Sequence, residues 1–197
     1  VHMINAEIKI GFDGDYSNIS KDEKRVSDNW YDDLIMSDDN SMMELNRNAA
    51  FLRSLGHENF KSSIPDISHI LHEVNNPLKQ IEDYFVIFPF ASWYGKEWPI
   101  DKFVLLIDKL SEKYAMTCVL CGGPNDVGSA QKIVGKSTVS IIDYTGKTDL
   151  LSLAKIIQDS RLLVSNDTSA IHIAASVCTK SVCMLGGGHY GRFLPYA

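Results

Sequence analysis

The sequence predicts an α/β protein, a parallel sheet wound with helices on both faces, and three observations predict it. Apolar runs of strand length recur from residue 84 onward. Amphipathic segments of helical spacing separate them. The runs lack the polar alternation of a half-exposed sheet, as expected for strands covered on both sides. Strand–helix alternation of this kind gives parallel strands joined by right-handed crossovers.

In order, YFVIFPF (84–90) reads as the first buried strand. Ile100, Phe103, Val104, Ile107 and Leu110 then fall on one helical face, with Pro99 at the first helical position. TCVLCGG (117–123) and VSIID (139–143) read as the second and third strands. Leu150, Leu153, Ala154 and Ile157 repeat the helical face, and Asp149 opens that helix after a Gly146-Lys147-Thr148 turn. RLLVS (161–165) and SVCMLGG (181–187) complete the strands.

Residues 1–83 follow a different pattern. EIKIGF (7–12) reads as one strand, and the acidic stretch from Asp28 to Asp39 as a solvated loop. Ser41-Met42-Met43-Glu44 has the form of a capping box opening a helix through Leu45, Ala49, Leu52 and Leu55, stopped at Gly56. The turn-rich segment up to Tyr84 reads as a linker with one short strand. One strand and one helix cannot enclose a core, so 1–83 is expected to be the tail of another domain plus a linker. Residues 84–197 are then the main domain, truncated at its C-terminal end.

The chain has 197 residues, with 45% hydrophobic and 22% charged side chains, the profile of an ordinary globular protein. A net charge of −6 argues against nucleic-acid binding, because no basic stripe exists to neutralise phosphates. No apolar run approaches the ~20 residues of a membrane span, and no signal peptide opens the chain. Cys118 and Cys121 form a C-x-x-C, which raises zinc and redox readings. In a strand, however, residues three apart face opposite ways, and a thioredoxin-like pair would sit at a helix start. Cys118, Cys121, Cys178 and Cys183 therefore read as reduced core thiols of a cytosolic protein.

In an open parallel sheet, ligands bind beyond the carboxyl ends of the strands. Those junctions are PFASWYGKEWP, CGGPND, DYTGKTD, SNDTSAIH and GGGHYGRF, each rich in glycine, hydroxyl groups or charge. Asp167 reads as an N-cap, after which Thr168, Ser169 and Ala170 offer backbone N–H groups to an anion. Capping accounts for one carboxylate, but not for Asn166, Thr168, Ser169 and His172 together. Thr168 and Ser169 share a helical face with His172, which reads either as a satisfied, partly buried group or as a ligand contact. Lys96, ahead of the first long helix, is either a solvated lysine or a phosphate counter-charge.

A nicotinamide cofactor is disfavoured, since no G-x-G-x-x-G follows the first strand. No Walker pattern occurs, because the GKT at 146–148 lacks the upstream glycine. Asp13-Gly14-Asp15 has the D-x-D form that holds a divalent metal in one class of sugar transferases, but D-G-D is also an ordinary turn, and no metal site is assigned.

FPFASWYGKEWPIDKF, VLCGGPND, IIDYTGKTDLLSLAKII and LLVSNDTSAIHIAA, in this order, resemble glycosyltransferase family 9, the ADP-heptose:lipopolysaccharide heptosyltransferase-like enzymes. The ordered set K-x-W-P, G-G-P, G-K-T and D-T-x-x-x-H carries the resemblance over about residues 84–190. It implies the C-terminal, donor-binding half of a GT-B fold, with 1–83 the tail of the acceptor-side domain. The implied enzyme is an inverting, metal-independent glycosyltransferase without a cofactor, its donor a nucleoside-diphosphate sugar, its acceptor a lipopolysaccharide or other surface glycan. By the same resemblance Ser92 and Lys96 contact the donor diphosphate. Asp167, Thr168, Ser169 and the start of the following helix hold the sugar and phosphates, His172 completes the motif, and Asp126 (or Asn125) reaches the ribose. The catalytic base belongs to the absent acceptor-side domain, so this chain alone is expected to be inactive. GGGHYGRFLPY departs from the commoner G-x-T-x-P pattern, which bears on donor-sugar specificity. A cytoplasmic location at the inner face of the bacterial inner membrane follows from the family. A nucleotide-sugar-binding module without catalysis and a sugar-nucleotide epimerase of similar architecture stand as alternatives.

Overall fold

The computed structural model describes residues 1, 3–16, 19–36, 43–186 and 190–196. Two compact units divide the chain: Val1–Ser63 with His189–Ala197, and Ile64–Gly188. The break thus falls at Ser63/Ile64, not at residue 83, because the expected linker packs on the α/β layer. Leu71 and Leu78 from that segment are buried, and Ile67 N donates to Ser176 O. The short strand expected there is a 3-10 turn, Ser68–Leu71.

The second unit carries a five-stranded, fully parallel sheet in the order β5-β4-β3-β6-β7. Its strands are β3 (Tyr84–Phe88), β4 (Thr117–Leu120), β5 (Ile141–Asp143), β6 (Leu162–Asn166) and β7 (Ser181–Met184). Its helices are α3 (Ile100–Tyr114), α4 (Val127–Lys136), α5 (Leu150–Gln158) and α6 (Ser169–Ser176). Alternation along β3 explains why it reads as a continuous apolar run. Phe85 and Ile87 join Phe103, Ile107, Ala130 and Ile133 in a core under α3 and α4. Tyr84 points the other way, where its hydroxyl donates to Ile156 O in α5 and accepts from Asn76 Nδ2. Asp149 N-caps α5 through Ser152 N, as the sequence predicts. Pro99 lies one residue earlier than expected, at the N-cap of α3.

The first unit holds more structure than its sequence suggests. β1 (Ile10–Phe12), within the strand expected at 7–12, and β2 (Asp33–Ile35), within the stretch read as a solvated loop, pair in parallel around α1 (Lys21–Asp28) as a βαβ unit. The overlooked signal is Ser20-x-x-Glu23, a complete capping box. Its carboxylate accepts from Ser20 N, and both that bond and the Ser20 hydroxyl hold Glu23 below the usual carboxylate range. The helix expected after Ser41 is α2 (Glu44–Ser54), ended by Gly56 at a φ of +97°. Ser41 and Met42 lie outside the described residues. The expected capping box therefore lies outside them too; Glu44 opens α2, and its carboxylate binds Arg47 and Arg192. Among the described residues no helix is long and apolar enough to cross a membrane.

The cysteines separate into two classes, which corrects the expectation of four core thiols. Cys118 and Cys121 are fully buried, and burial pushes both thiols up, Cys121 to about 12. Cys178 is exposed and Cys183 only partly covered.

Candidate functional site

Strand order fixes where a site can form. The chain leaves β3 towards β4 and β5 on one side, then returns to β6 and β7 on the other. At such a reversal an open α/β sheet offers its ligand crevice at the strands' carboxyl ends, between the connections after the two central strands, here β3 and β6. Lys96 lies in the first connection and Asp167 in the second. Lys96 Nζ stands 3.1 Å from Asp167 Oδ2. The two segments singled out in the sequence therefore meet, 71 residues apart along the chain.

Asp167 is buried, at 7% exposure, yet it does not cap α6. The N-cap is Thr168, whose extended backbone makes no side-chain cap bond. The helix starts one residue later than the sequence suggests, which releases the carboxylate for Lys96. The Thr168 hydroxyl stands 3.2 Å from that of Ser165, and Ser169 is exposed at the start of α6. First-turn N–H groups of α6, lacking a side-chain cap, face the crevice end of the helix.

His172 lies one turn into α6 and is half-buried. Burial holds its imidazole below the ordinary range, Asp167 pulls it up and Lys96 pushes it down. Cys183, near the end of β7, feels the same two charges, and burial raises its thiol to about 11. Sequence reasoning did not connect Cys183 with the site; the pairing of Ser165 with Cys183 in the parallel ladder brings it there.

The loop carrying Lys96 is built by short contacts. Ala91 N donates to Glu97 Oε1, Lys96 N to Trp93 O and Glu97 N to Tyr94 O. A Cβ on Gly95 would lie 2.5 Å from the Trp93 ring, so only glycine admits that ring position. Trp98 packs edge-on against Phe103, with centroids 5.1 Å apart, and anchors the loop to the core. Ser92 is exposed in the same loop.

Asp126, expected from the resemblance to reach the ribose, lies in the turn after β4. Its Oδ2 accepts from Gly123 N at 2.8 Å, folding the carboxylate back onto the Gly-Gly-Pro turn. Asn125 is exposed beside it. Gly146 N donates to Gly122 O, so the turns after β4 and β5 are joined at the same rim. The D-x-D carboxylates of the first unit are each held by a cation: Asp13 by Lys24, and Asp15 by Arg192 at 3.2 Å. Part of the glycine-rich turn after β7, Gly187, Gly188 and His189, lies outside the described residues.

The geometry is a cation, a buried carboxylate, hydroxyl groups and a helix start gathered at a sheet's switch point. The sequence matches the family described as "Glycosyltransferase family 9 (heptosyltransferase)" over residues 1–197. The chain belongs to glycosyltransferase family 9. Solved structures of similar fold include the family 9 glycosyl transferase of Veillonella parvula DSM 2008. That match has a TM-score of 0.75 and 20% identity over 97% of this chain and 55% of that one. Another is the E. coli heptosyltransferase WaaC with ADP-2-deoxy-2-fluoro heptose. Its TM-score is 0.67 at 18% identity, over 89% of this chain and 53% of WaaC. WaaC with ADP also matches, at a TM-score of 0.65 and 16% identity, covering 80% and 48%. The chain thus spans about half the length of these structures. Their likeness bears on the fold, a parallel five-stranded layer of the kind found in GT-B glycosyltransferases. No curated protein matches the sequence.

Proposed function

We propose that this family 9 chain binds the nucleoside-diphosphate-sugar donor of an inverting, metal-independent glycosyl transfer. The observation that carries the reading is Lys96 meeting Asp167 beside the uncapped start of α6. In such a transfer the bond between the anomeric carbon and the diphosphate oxygen breaks as an acceptor hydroxyl oxygen bonds to that carbon. The departing diphosphate gains negative charge while the sugar becomes cation-like. Lys96 and the first N–H groups of α6 are suited to stabilise that developing anion. This is the charge compensation a divalent metal would otherwise supply, and it is the basis for reading the reaction as metal-independent. Asp167, Thr168 and Ser169 offer acceptors and hydroxyl groups to the sugar and phosphates, and Ser92 to the diphosphate. Asp126 offers the ribose its remaining acceptor positions, one being engaged by Gly123 N. The proton of the acceptor hydroxyl passes to a base that no residue of this chain is assigned to supply.

ADP-heptose is the first donor to test, because a relative of this fold was solved with an ADP-heptose analogue. A lipopolysaccharide or related glycan is the acceptor in the same reading, which puts the work at the cytoplasmic face of the inner membrane. Calorimetry with ADP, UDP, GDP and NAD, repeated with Lys96→Ala, tests it. ADP binding weakened about tenfold or more by the substitution is expected, the size of a lost charge-assisted contact. A preference for NAD, or ADP affinity indifferent to Lys96, overturns the donor site. Turnover of the sugar nucleotide without acceptor, giving an epimer, would place the chain with the epimerases instead.

A further inference from the structure

The geometry points to Asn166 as the positioning residue of the Lys96 loop, an inference that rests on the donor-site reading above. The backbone ladder between β3 and β6 ends at Phe88 opposite Ser165. The residue that follows β3 is Pro89, which has no N–H to continue the ladder. The side chain of Asn166 takes over there. Its Nδ2 donates to Pro89 O at 2.5 Å, and its Oδ1 accepts from Trp98 N at 3.1 Å.

One carboxamide thus holds both ends of the loop 90–97, and it is completely buried. Both of the amide's functions, donor and acceptor, are used, which neither aspartate nor a small residue can reproduce. Lys96 lies two positions before the pinned Trp98, and Asp167 directly follows Asn166. The Asn166–Trp98 bond therefore sets the register in which the amine reaches the carboxylate. Glu97 adds a bond within the loop, whereas Asn166 ties the loop to β6 itself, beside the Lys96–Asp167 pair. A loop whose ends are fixed loses less freedom when its lysine engages a phosphate, so the clamp acts on affinity through Lys96.

The test is a double-substitution cycle read by ADP calorimetry at two salt concentrations, with Asn166→Ala, Lys96→Ala and both together. Asn166→Ala should weaken ADP about tenfold, as expected when a buried pair of hydrogen bonds is removed. It should flatten the salt dependence as Lys96→Ala does, and add little in the Lys96→Ala background. Equal losses in both backgrounds would show that Asn166 acts through general stability and would overturn the inference. Asn166→Asp, close in volume, keeps the acceptor for Trp98 N and loses the donor for Pro89 O. It serves where the alanine variant fails to fold.

Hydrogen exchange without nucleotide separates this inference from the donor reading. In either variant, exchange should quicken in residues 91–98 while β4 and α4 keep their protection. Unchanged protection of 91–98 removes the clamp even if ADP binds as proposed. Quickened exchange with no ADP binding in the parent protein upholds the clamp and removes the donor site.

Discussion

At Asp167 a carboxylate that could have capped α6 is directed to Lys96 instead, and that choice defines the site. The two groups sit where ligand phosphates and sugar hydroxyls would compete for them. Asp167→Asn removes a negative charge from the crevice while keeping the side chain's size. ADP without its sugar should then bind a few-fold more tightly, consistent with about 1 kcal/mol from one relieved repulsion. Weaker ADP binding on calorimetry would mean that Asp167 orders the site rather than competes for Lys96. His172 gives a second test. Its lowered value means the unfolded chain binds a proton more readily than the folded one. The stability it contributes is complete above the unfolded value of 6.5 and is lost as pH falls through the lowered folded value. Urea midpoints should therefore drop between pH 7.5 and 5 more steeply in the parent protein than in His172→Gln. Parallel slopes would contradict this.

Among the elements, α3 ends in a conformation its sequence does not favour. Ala115 is exposed and left-handed, at φ 51° and ψ 32°. Glycine adopts that region without the Cβ clash, although it also loosens the unfolded chain. Ala115→Gly should raise stability by up to about 1 kcal/mol in chemical denaturation. A loss would show that the cap conformation is not retained in solution. Tyr84 fastens β3 to α5 and to the 64–83 segment through one hydroxyl, with burial pushing its pKa up to about 12. Tyr84→Phe leaves Ile156 O and Asn76 Nδ2 each short of a partner, and should cost about 1–3 kcal/mol. An unchanged urea midpoint would place water in that gap.

On the scale of the whole molecule, the burial of the thiols can be read directly. Ellman's reagent should titrate Cys178 rapidly in the native protein, and Cys118 and Cys121 only on unfolding. Prompt reaction of all four would contradict the buried β4 pair. The same contrast shows where the sequence was legible. Long apolar runs and strong helical faces announced β3 to β7, most plainly at β3, β4 and β6, where a strand buried on both sides has no other composition open to it. The βαβ unit at residues 10–35 was obscured by its charge: Lys24 is buried in α1 between Asp13 and Asp28, so the helix reads as a solvated run. The packing of residues 64–83 on the sheet layer is hidden in the sequence for a related reason. Its anchors, Leu71, Leu78 and Asn76, are too few and too scattered to show a period, and their partners lie far along the chain.

What the sequence determined by itself is the alternation of elements and the family, since both reside in local composition and in the order of short motifs. It also marked Lys96, Asp167 and His172, because polar groups gathered at a strand's end stand out against apolar surroundings. Only the tertiary structure decided how these groups are used. That Asp167 meets Lys96 and that Asn166 bridges Pro89 and Trp98 both depend on β3 lying beside β6. Pairing between strands more than seventy residues apart is set by the packing of the whole sheet, and no local pattern encodes it.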